Sequence, residues 1–592
     1  MQAVITQFGL TPEDIIMTRL FNDPNDFPEE ARLGLVAAHR DKLMAVPGGV
    51  VRSTRSQPDS VAVVVGGGSG HYPTFAGLVG QGLAHGAVMG NLFCSPSAQQ
   101  VYSVAKAANN GGGVLLSFGN YAGDVLHFGE ARERLIADGI PCEIVLVTDD
   151  VASAPLAEID KRRGIAGDLT VFKAAAAAAE KGLSLEEVVQ VAKEANRCTR
   201  SFGVAFEGCT LPGAADSLFH VPEGRMAIGL GIHGEPGISE TDIPSADGLA
   251  EILVARLLEE VPDGIRLKGA RVAPILNGLG TIKYEELFVI YRKVDELLQE
   301  AGLSIVEPDV GELVTSLDMA GVSLTLFWLD KDMEPLWTAA ADAPGYRKGS
   351  VTPAQALDPA EVEVVTQDEI PEASDASRKL ACGVVEALEV LANMVNENCE
   401  MLGQIDAVAG DGDHGIGMQR GSRAALEAAK EALDGGAGAE TVLQWAGQRW
   451  SDEAGGTSGA IWRVILKAMG ESLGNEKPLS GQRLAAGVVN ARQQVMAFGK
   501  AELGDKTLVD VLVPFADALS WEAEKGQGAL ACWESAARIA SEAAEATRQL
   551  IPRVGRARPL AEKSVGTPDA GSVSLALIIQ ALIPVLKKCQ AS

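Results

Sequence analysis

The sequence predicts a multidomain protein in which an N-terminal α/β region is followed by an all-helical one, and three observations carry that prediction. The 592 residues exceed what one hydrophobic core supports. From about residue 60 to 340, short β-branched runs alternate with helical stretches. Beyond residue 378 the strand signal vanishes and long Ala/Leu/Glu-rich segments follow one another, separated by glycine-rich turns.

In order along the chain, the runs VAVVV (61–65), GVLLSF (113–118), CEIVLVTDD (142–150), RVAPIL (271–276) and SLTLFWL (323–329) read as buried strands. The stretch after Asp168, VFKAAAAAAEKGLSLEEVVQVAKEANRC, is strongly helix-forming, and Ser184 with Glu187 makes a capping box before its second helix. Residues 341–377 intersperse Pro344, Pro353, Pro359 and Pro371 with acids, Ala and Thr, which reads as an extended acidic linker. Helices are expected at 378–402, 422–434, 439–450, 480–498, 528–549 and 572–588. The expected division is therefore 1–340, linker 341–377 and 378–592.

With 79 acidic against 50 basic residues, the formal charge of −29 repels nucleic acid and anionic membrane. The eight cysteines are scattered singly, without zinc-knuckle or disulfide spacing. The N-terminus lacks the pattern of a signal peptide, and no apolar run is long enough to predict a membrane span, so a cytoplasmic protein is expected.

Three glycine-rich motifs carry the chemistry. GGGSGH (66–71) follows the VAVVV strand; its glycines allow a ligand to approach the backbone, and His71 stands at its tip. The dinucleotide pattern G-x-G-x-x-G is not completed there. GLGIHGEPG (229–237) sets His233 among glycines with no metal-ligand partners in sequence, open to a role as base, ligand or nucleophile. Asp124, in GNYAGD after the GVLLSF strand, places a carboxylate where open α/β sheets bind ligands. The third motif, DAVAGDGDHG (406–415), crowds Asp406, Asp411 and Asp413 together with no adjacent Lys or Arg. Such crowding favours a hard cation; an EF-hand is excluded because Ser422 stands where the loop's closing glutamate belongs, and Mg²⁺ with nucleotide phosphates fits better. AGGTSG (454–459), GKAELGDKT (499–507), GRA (555–557) and PDAGS (568–572) can present N–H groups to phosphates, yet GKAELGDKT is no P-loop, since Asp505 intrudes and no strand precedes it.

In this order the motifs resemble the dihydroxyacetone kinase family in its single-chain form, over nearly the whole chain. FNDPNDFPEEARLGLVAAH, GGGSGH, GNYAGD, RRGIAGD (162–168), GIHGEPG, NGLG (277–280) and LDMAGVSLTL (317–326) look like its ketose-binding domain. DAVAGDGDHG, AGGTSG, GKAELGDKTLVDVLVP and GRA…PDAGS look like its nucleotide-binding domain, an antiparallel helical barrel. The resemblance implies phosphorylation of a short-chain ketose held as a hemiaminal on His233. Gly68, Ser69, Gly70 and His71 would contact its hydroxyls, and Asp124 with His71 would handle the proton of the attacking hydroxyl. It implies ATP and Mg²⁺, with Asp406, Asp411 and Asp413 on the metal. His414, Gly415, Ile416, Gly417, Thr457, Ser458, Gly499, Leu508, Arg556, Asp569, Ala570 and Gly571 would hold the nucleotide. It also implies a homodimer in which each ketose-binding domain faces the partner's nucleotide-binding domain.

The family's dihydroxyacetone enzymes commonly read GGGSGHEPAH and KNYTGD, whereas this chain has Tyr72 and Phe75 after His71 and Gly119 in place of the lysine. A reshaped pocket and a four-carbon ketose, erythrulose, are therefore expected. Two other readings remain open: a non-catalytic regulator built on the ketose-binding fold, against which the Asp triad speaks, and a side activity cleaving FAD to a cyclic FMN.

Overall fold

The computed structural model describes residues 20–363, 370–554 and 563–591, apart from Leu230, Gly234, Pro236, Ala409 and Asp411. The chain forms two compact units, Met1–Val365 and Thr366–Ser592.

The first unit opens with α1 (Phe27–Ala38), β1 (Leu43–Val46), β2 (Gly49–Arg52), β3 (Ala62–Ser69), β4 (Gly86–Leu92), α2 (Ala98–Ala108), β5 (Val114–Gly119), α3 (Ala122–Ala137) and β6 (Cys142–Val147). These six strands form one sheet in the order β1-β2-β4-β3-β5-β6, parallel from β4 to β6. Next come α4 (Asp168–Glu180), α5 (Leu185–Arg197), β7 (Thr199–Glu207), β8 (Arg225–Ile228), β9 (Ser239–Asp242), α6 (Ala246–Leu258) and β10 (Arg271–Gly278). They are followed by α7 (Tyr284–Glu300), β11 (Ser304–Ile305), β12 (Asp309–Gly311), β13 (Ala320–Leu329) and α8 (Glu334–Trp337). The second sheet runs β11-β10-β13-β7-β8-β9 with β12 also on β10, and its long strands β10, β13 and β7 pair antiparallel. Every residue of α4 from Asp168 to Ala179 is buried, so the polyalanine run is a core helix whose small side chains permit close packing. Ser184 and Glu187 form the expected capping box at α5. Within 341–377, β14 (Ala341–Asp342) pairs with β15 (Arg347–Lys348), and Ala343 and Tyr346 are buried in the first unit's core.

The second unit is all-helical, with nine helices among the described residues: α9 (Asp375–Asp406), α10 (His414–Asp434), α11 (Ala439–Ala454), α12 (Gly456–Leu473), α13 (Gly481–Gly499), α14 (Val509–Glu524), α15 (Ala529–Ala546), α16 (Ala570–Ala581) and α17 (Ile583–Ala591). Each helix from α9 to α16 packs on the next and α16 returns to α9, closing a ring around an apolar cavity of about 190 Å³ lined by Leu388, Trp462, Phe515 and Trp533. Two of these helices were not expected from sequence. The start of α12 lies inside AGGTSG, which reads as a turn, and Pro514 masks α14. Ala570–Lys588 is long and apolar enough to cross a membrane, but it packs in the ring: Leu575, Ile578 and Ile579 are buried, and Trp533 Nε1 donates to the Ile579 carbonyl at 2.8 Å.

Candidate active site

His71 follows β3, Asp124 lies in the first turn of α3 just past β5, and His233 lies in the β8–β9 connection, so the site forms where the C-terminal ends of first-sheet strands meet the second sheet. The glycines of GGGSGH do not make a loop; Gly66 to Ser69 finish β3. They are required for close approach instead. A Cβ on Gly67 would stand 2.6 Å from the Phe75 ring, and one on Gly68 would stand 2.7 Å from the Cys94 amide nitrogen. Only Gly70, at φ +108°, needs glycine's backbone freedom, and it turns the chain to His71. Ser69 Oγ donates to the Gly90 carbonyl at 2.6 Å.

His71 and His233 lie 162 residues apart in sequence, yet their Nε2 atoms are 3.0 Å apart, and both rings are buried. His71 Nδ1 lies 2.7 Å from the Thr315 carbonyl oxygen and so must donate to it, leaving Nε2 as an acceptor. Burial, and next the neighbouring His233, push His71 down to about 3, which keeps it neutral. His233 Nδ1 lies 2.9 Å from Glu235 Oε1, and the His233 backbone N–H donates to Glu235 Oε2 at 3.0 Å. With Glu235 a carboxylate, satisfying every contact puts protons on both nitrogens of His233, its Nε2 donating to His71. The pair thus holds one mobile proton between two facing Nε2 atoms.

Aromatic rings close the pocket. Phe93 stacks on His71 with centroids 5.0 Å apart, and Tyr121 stands perpendicular to His233 at 4.7 Å, its hydroxyl donating to the Gly164 carbonyl at 3.0 Å. Ser95 Oγ donates to Asp124 Oδ2 at 2.8 Å, and Asp124 is buried. Phe75, expected together with Tyr72 to reshape the pocket, stands farther from His71 than Phe93 does. Tyr72 is 48% exposed with its ring beside Gly77, and Phe75 belongs to the core against Phe172, its ring 6.4 Å from that of His71. Phe93, Ser95, Tyr121, Glu235 and Thr315 were not singled out from sequence. Glu235 and Tyr121 lie inside GIHGEPG and GNYAGD, whereas FCSPS after β4 carries no motif of its own.

In the second unit, His414 opens α10, and its ring spans Ser574 Oγ of α16 at 3.0 Å and Ser458 Oγ of α12 at 3.4 Å. That bridge gathers the N-terminal turns of three helices, which is the arrangement that receives phosphate. Thr457 and Ser458 occupy the first turn of α12; Asp569 caps α16, taking the Ser572 N–H at 2.6 Å; Ala570 and Gly571 follow it. Leu508, just before α14, lies against Gly571, and Gly499 ends α13 beside Ile461. Gly415 packs against the Cys399 carbonyl of α9, while Ile416 is partly exposed and Gly417 faces open space. Asp406 ends α9 and Asp413 directly precedes α10. Burial, and after it Asp406, push Asp413 up to about 7, and burial likewise pushes Asp569 up to about 6, with Asp406 adding to it. Among the described residues no three such side chains close on a single ion. Asp411 and Arg556 lie outside the described residues. Two carboxylates near enough for Asp406 to act on Asp413 suit Mg²⁺, which keeps waters and substrate phosphates as its remaining ligands. Lys506 is not a phosphate lysine, because its Nζ donates to the Ser564 carbonyl at 2.6 Å and to the Leu550 carbonyl at 3.2 Å.

Comparison with known proteins finds one matching domain in each unit. A Dak1 domain matches residues 33–345 and a DAK2 domain matches residues 408–584. The chain is 61% identical over 572 residues to an L-erythrulose kinase of Pectobacterium atrosepticum, covering 96% of this chain and 97% of that protein. It is 51% identical over 566 residues to a D-erythrulose kinase of Mycolicibacterium smegmatis, covering 95% and 97%. Among solved structures it matches the dihydroxyacetone kinase from C. freundii in complex with AMP-PNP and Mg²⁺ at 28% identity and a TM-score of 0.50, covering 96% of this chain and 99% of that one. With both domains matched in their order and a relative this close along almost its full length, the chain belongs to the dihydroxyacetone kinase family, its Dak1 and DAK2 domains fused in one polypeptide.

Proposed function

We propose that this protein is a cytoplasmic, ATP-dependent ketose kinase that prefers a four-carbon erythrulose and captures it on His233. The observation that carries the reading is the pair of facing imidazoles, with Glu235 behind one and the Thr315 carbonyl behind the other. His233 passes its Nε2 proton to His71, and the freed lone pair bonds to the carbonyl carbon. His71 then gives that proton to the carbonyl oxygen. The product is a hemiaminal with a neutral hydroxyl and an imidazolium whose Nδ1–H remains on Glu235. Because His71 is a weak base, it returns the proton readily. A polyol without a carbonyl cannot be fixed in this way. Asp124, oriented by Ser95, takes the proton of the terminal hydroxyl as it attacks phosphorus.

Mg²⁺-ATP supplies the phosphoryl group and the countercharge. Asp406 and Asp413, with Asp411, would hold the ion, and the helix N-termini joined by His414 would receive the phosphates. The nucleotide positions Gly415, Ile416, Gly417, Thr457, Ser458, Gly499, Leu508, Arg556 and Asp569 to Gly571 follow from the same reading. The active assembly is a domain-crossed homodimer. The two named relatives act on opposite erythrulose enantiomers, so the test is a coupled ADP-release screen across dihydroxyacetone, glyceraldehyde, both erythruloses and glycerol. Turnover of an erythrulose above all others is expected; no turnover of any ketose overturns the reading.

A further inference from the structure

The RRGIAGD motif has no part in the reading above, yet its second arginine stands behind the capture histidine. Arg163 Nε and Nη2 both donate to Asp150 Oδ2, at 3.0 and 2.8 Å, and Nη2 also donates to the Gly229 carbonyl at 3.1 Å. Arg163 and Glu235 meet over Gly231: a Cβ there would stand 2.2 Å from Glu235 Oε2 and 2.7 Å from Arg163 Nη1. Any other residue at 231 would displace the Glu235 carboxylate, the Arg163 guanidinium or both. Glu235 in turn takes both the backbone N–H and the Nδ1–H of His233, and its own carbonyl accepts the Gly231 N–H at 3.0 Å. Ser316 Oγ donates to the Ile232 carbonyl. Asp150 thus holds Arg163, Arg163 acts electrostatically on Glu235 across Gly231, and Glu235 holds His233, in a mostly buried row.

We propose that Arg163 and Glu235 are positioning residues for His233. Arg163 ties the Gly229 carbonyl to Asp150 and sets its positive charge across Gly231 from Glu235, and Glu235 holds the ring with Nδ1–H toward itself, so that Nε2 is the nitrogen presented to the ketose. The logic is that of a carboxylate fixing the tautomer of a working imidazole. It also supplies a fixed negative charge for the imidazolium present both before capture and in the hemiaminal. The proposal rests on the hemiaminal reading of His233 and adds to it the residues that make the ring a nucleophile.

The test measures capture apart from phosphoryl transfer. Full-length wild type, His233→Ala, Glu235→Gln, Arg163→Met and Arg163→Lys are each mixed with [2-¹³C]dihydroxyacetone without ATP, and the carbonyl carbon is followed by ¹³C NMR for an enzyme-bound tetrahedral signal. Ketose KM, ATP KM and kcat are then measured. Wild type should show the signal and His233→Ala should not. Glu235→Gln and Arg163→Met should lose most of it, with ketose KM raised on the order of 10–100-fold, ATP KM unchanged and kcat far less affected. Arg163→Lys should recover part, since it restores the charge facing Glu235 but not both bonds to Asp150. Wild-type signal and KM in Glu235→Gln or in Arg163→Met overturn the proposal and leave capture by His233 standing. Equal losses of ketose and ATP affinity in all three variants mark a merely structural role and also overturn it. No tetrahedral signal in wild type overturns capture itself, and the proposal with it.

Discussion

Gly119 is the position at which the choice between three- and four-carbon ketoses can be tested most directly. A Cβ built there stands 3.1 Å from Tyr121 Cε2, 3.2 Å from the Gly164 carbonyl oxygen and 3.4 Å from Gly164 Cα. Carbon atoms in ordinary contact sit about 3.5–4.0 Å apart, so Gly119→Ala must move the Tyr121 ring or the Gly164 backbone by a few tenths of an ångström. The backbone has little room, because a Cβ on Gly164 would itself meet Gly119 Cα at 2.5 Å. The ring yields instead, leaving its perpendicular seat on His233 at 4.7 Å and weakening its 3.0 Å hydrogen bond to Gly164. Overpacking of this kind costs about 1–3 kcal/mol. A shift in the wall beside the captured carbonyl penalises the longer substrate more, so the ratio of kcat/KM for erythrulose to that for dihydroxyacetone should fall roughly 10–200-fold. Gly119→Lys should push it further in the same direction. The assay is coupled ADP release at matched Mg²⁺-ATP, with thermal unfolding measured alongside. An unchanged ratio in both variants would refute the idea that Gly119 and Tyr121 shape this wall, whatever their stability.

Three further predictions address the chemistry and the assembly. Asp413→Asn should leave the fold intact and abolish ATP turnover, since removing one metal carboxylate leaves phosphate charge unscreened at a cost of several kcal/mol in the transition state; near-normal turnover at ordinary Mg²⁺ would remove Asp413 from the metal site. His233→Ala should raise ketose KM strongly and lose discrimination against glycerol, and His71→Ala, which removes the proton relay of capture, should also raise ketose KM; glycerol exclusion surviving in His233→Ala would mean that exclusion does not depend on capture. Finally, co-purified heterodimers of His233→Ala with Asp413→Asn chains should recover activity, because a domain-crossed dimer of the two contains one site with both residues intact; inactive heterodimers would show that each site is built within one chain.

How much of this was legible in sequence depended on how local each feature is. The strands β3, β5, β6, β10 and β13 were visible because each is a continuous apolar run, while β4 and β7 were hidden by the glycines and polar residues in GAVMGNL and TRSFGVAFE. The same limit applies at the site. GGGSGH and GIHGEPG announce themselves as unusual, but neither says that His71 and His233 face each other, since that contact is made by a β3 end and a β8–β9 connection in different sheets. Nor does a single sequence separate a glycine that turns the chain from one that lets another side chain in. Gly66 to Gly68 looked like a loop and proved to be strand, emptied of side chains so that Phe75 and the Phe93–Cys94 backbone could press against it. The three glycines and the two aromatic residues are therefore one device. Gly68 admits the Phe93 backbone, Phe93 stacks on His71, and the ring's Nδ1, tied to Thr315, leaves its Nε2 free to trade a proton with His233. Substituting Gly67 or Gly68 would thus act on the chemistry through the His71 ring, by way of Phe75 or Phe93, which is why their meaning emerges only when the second sheet is in place.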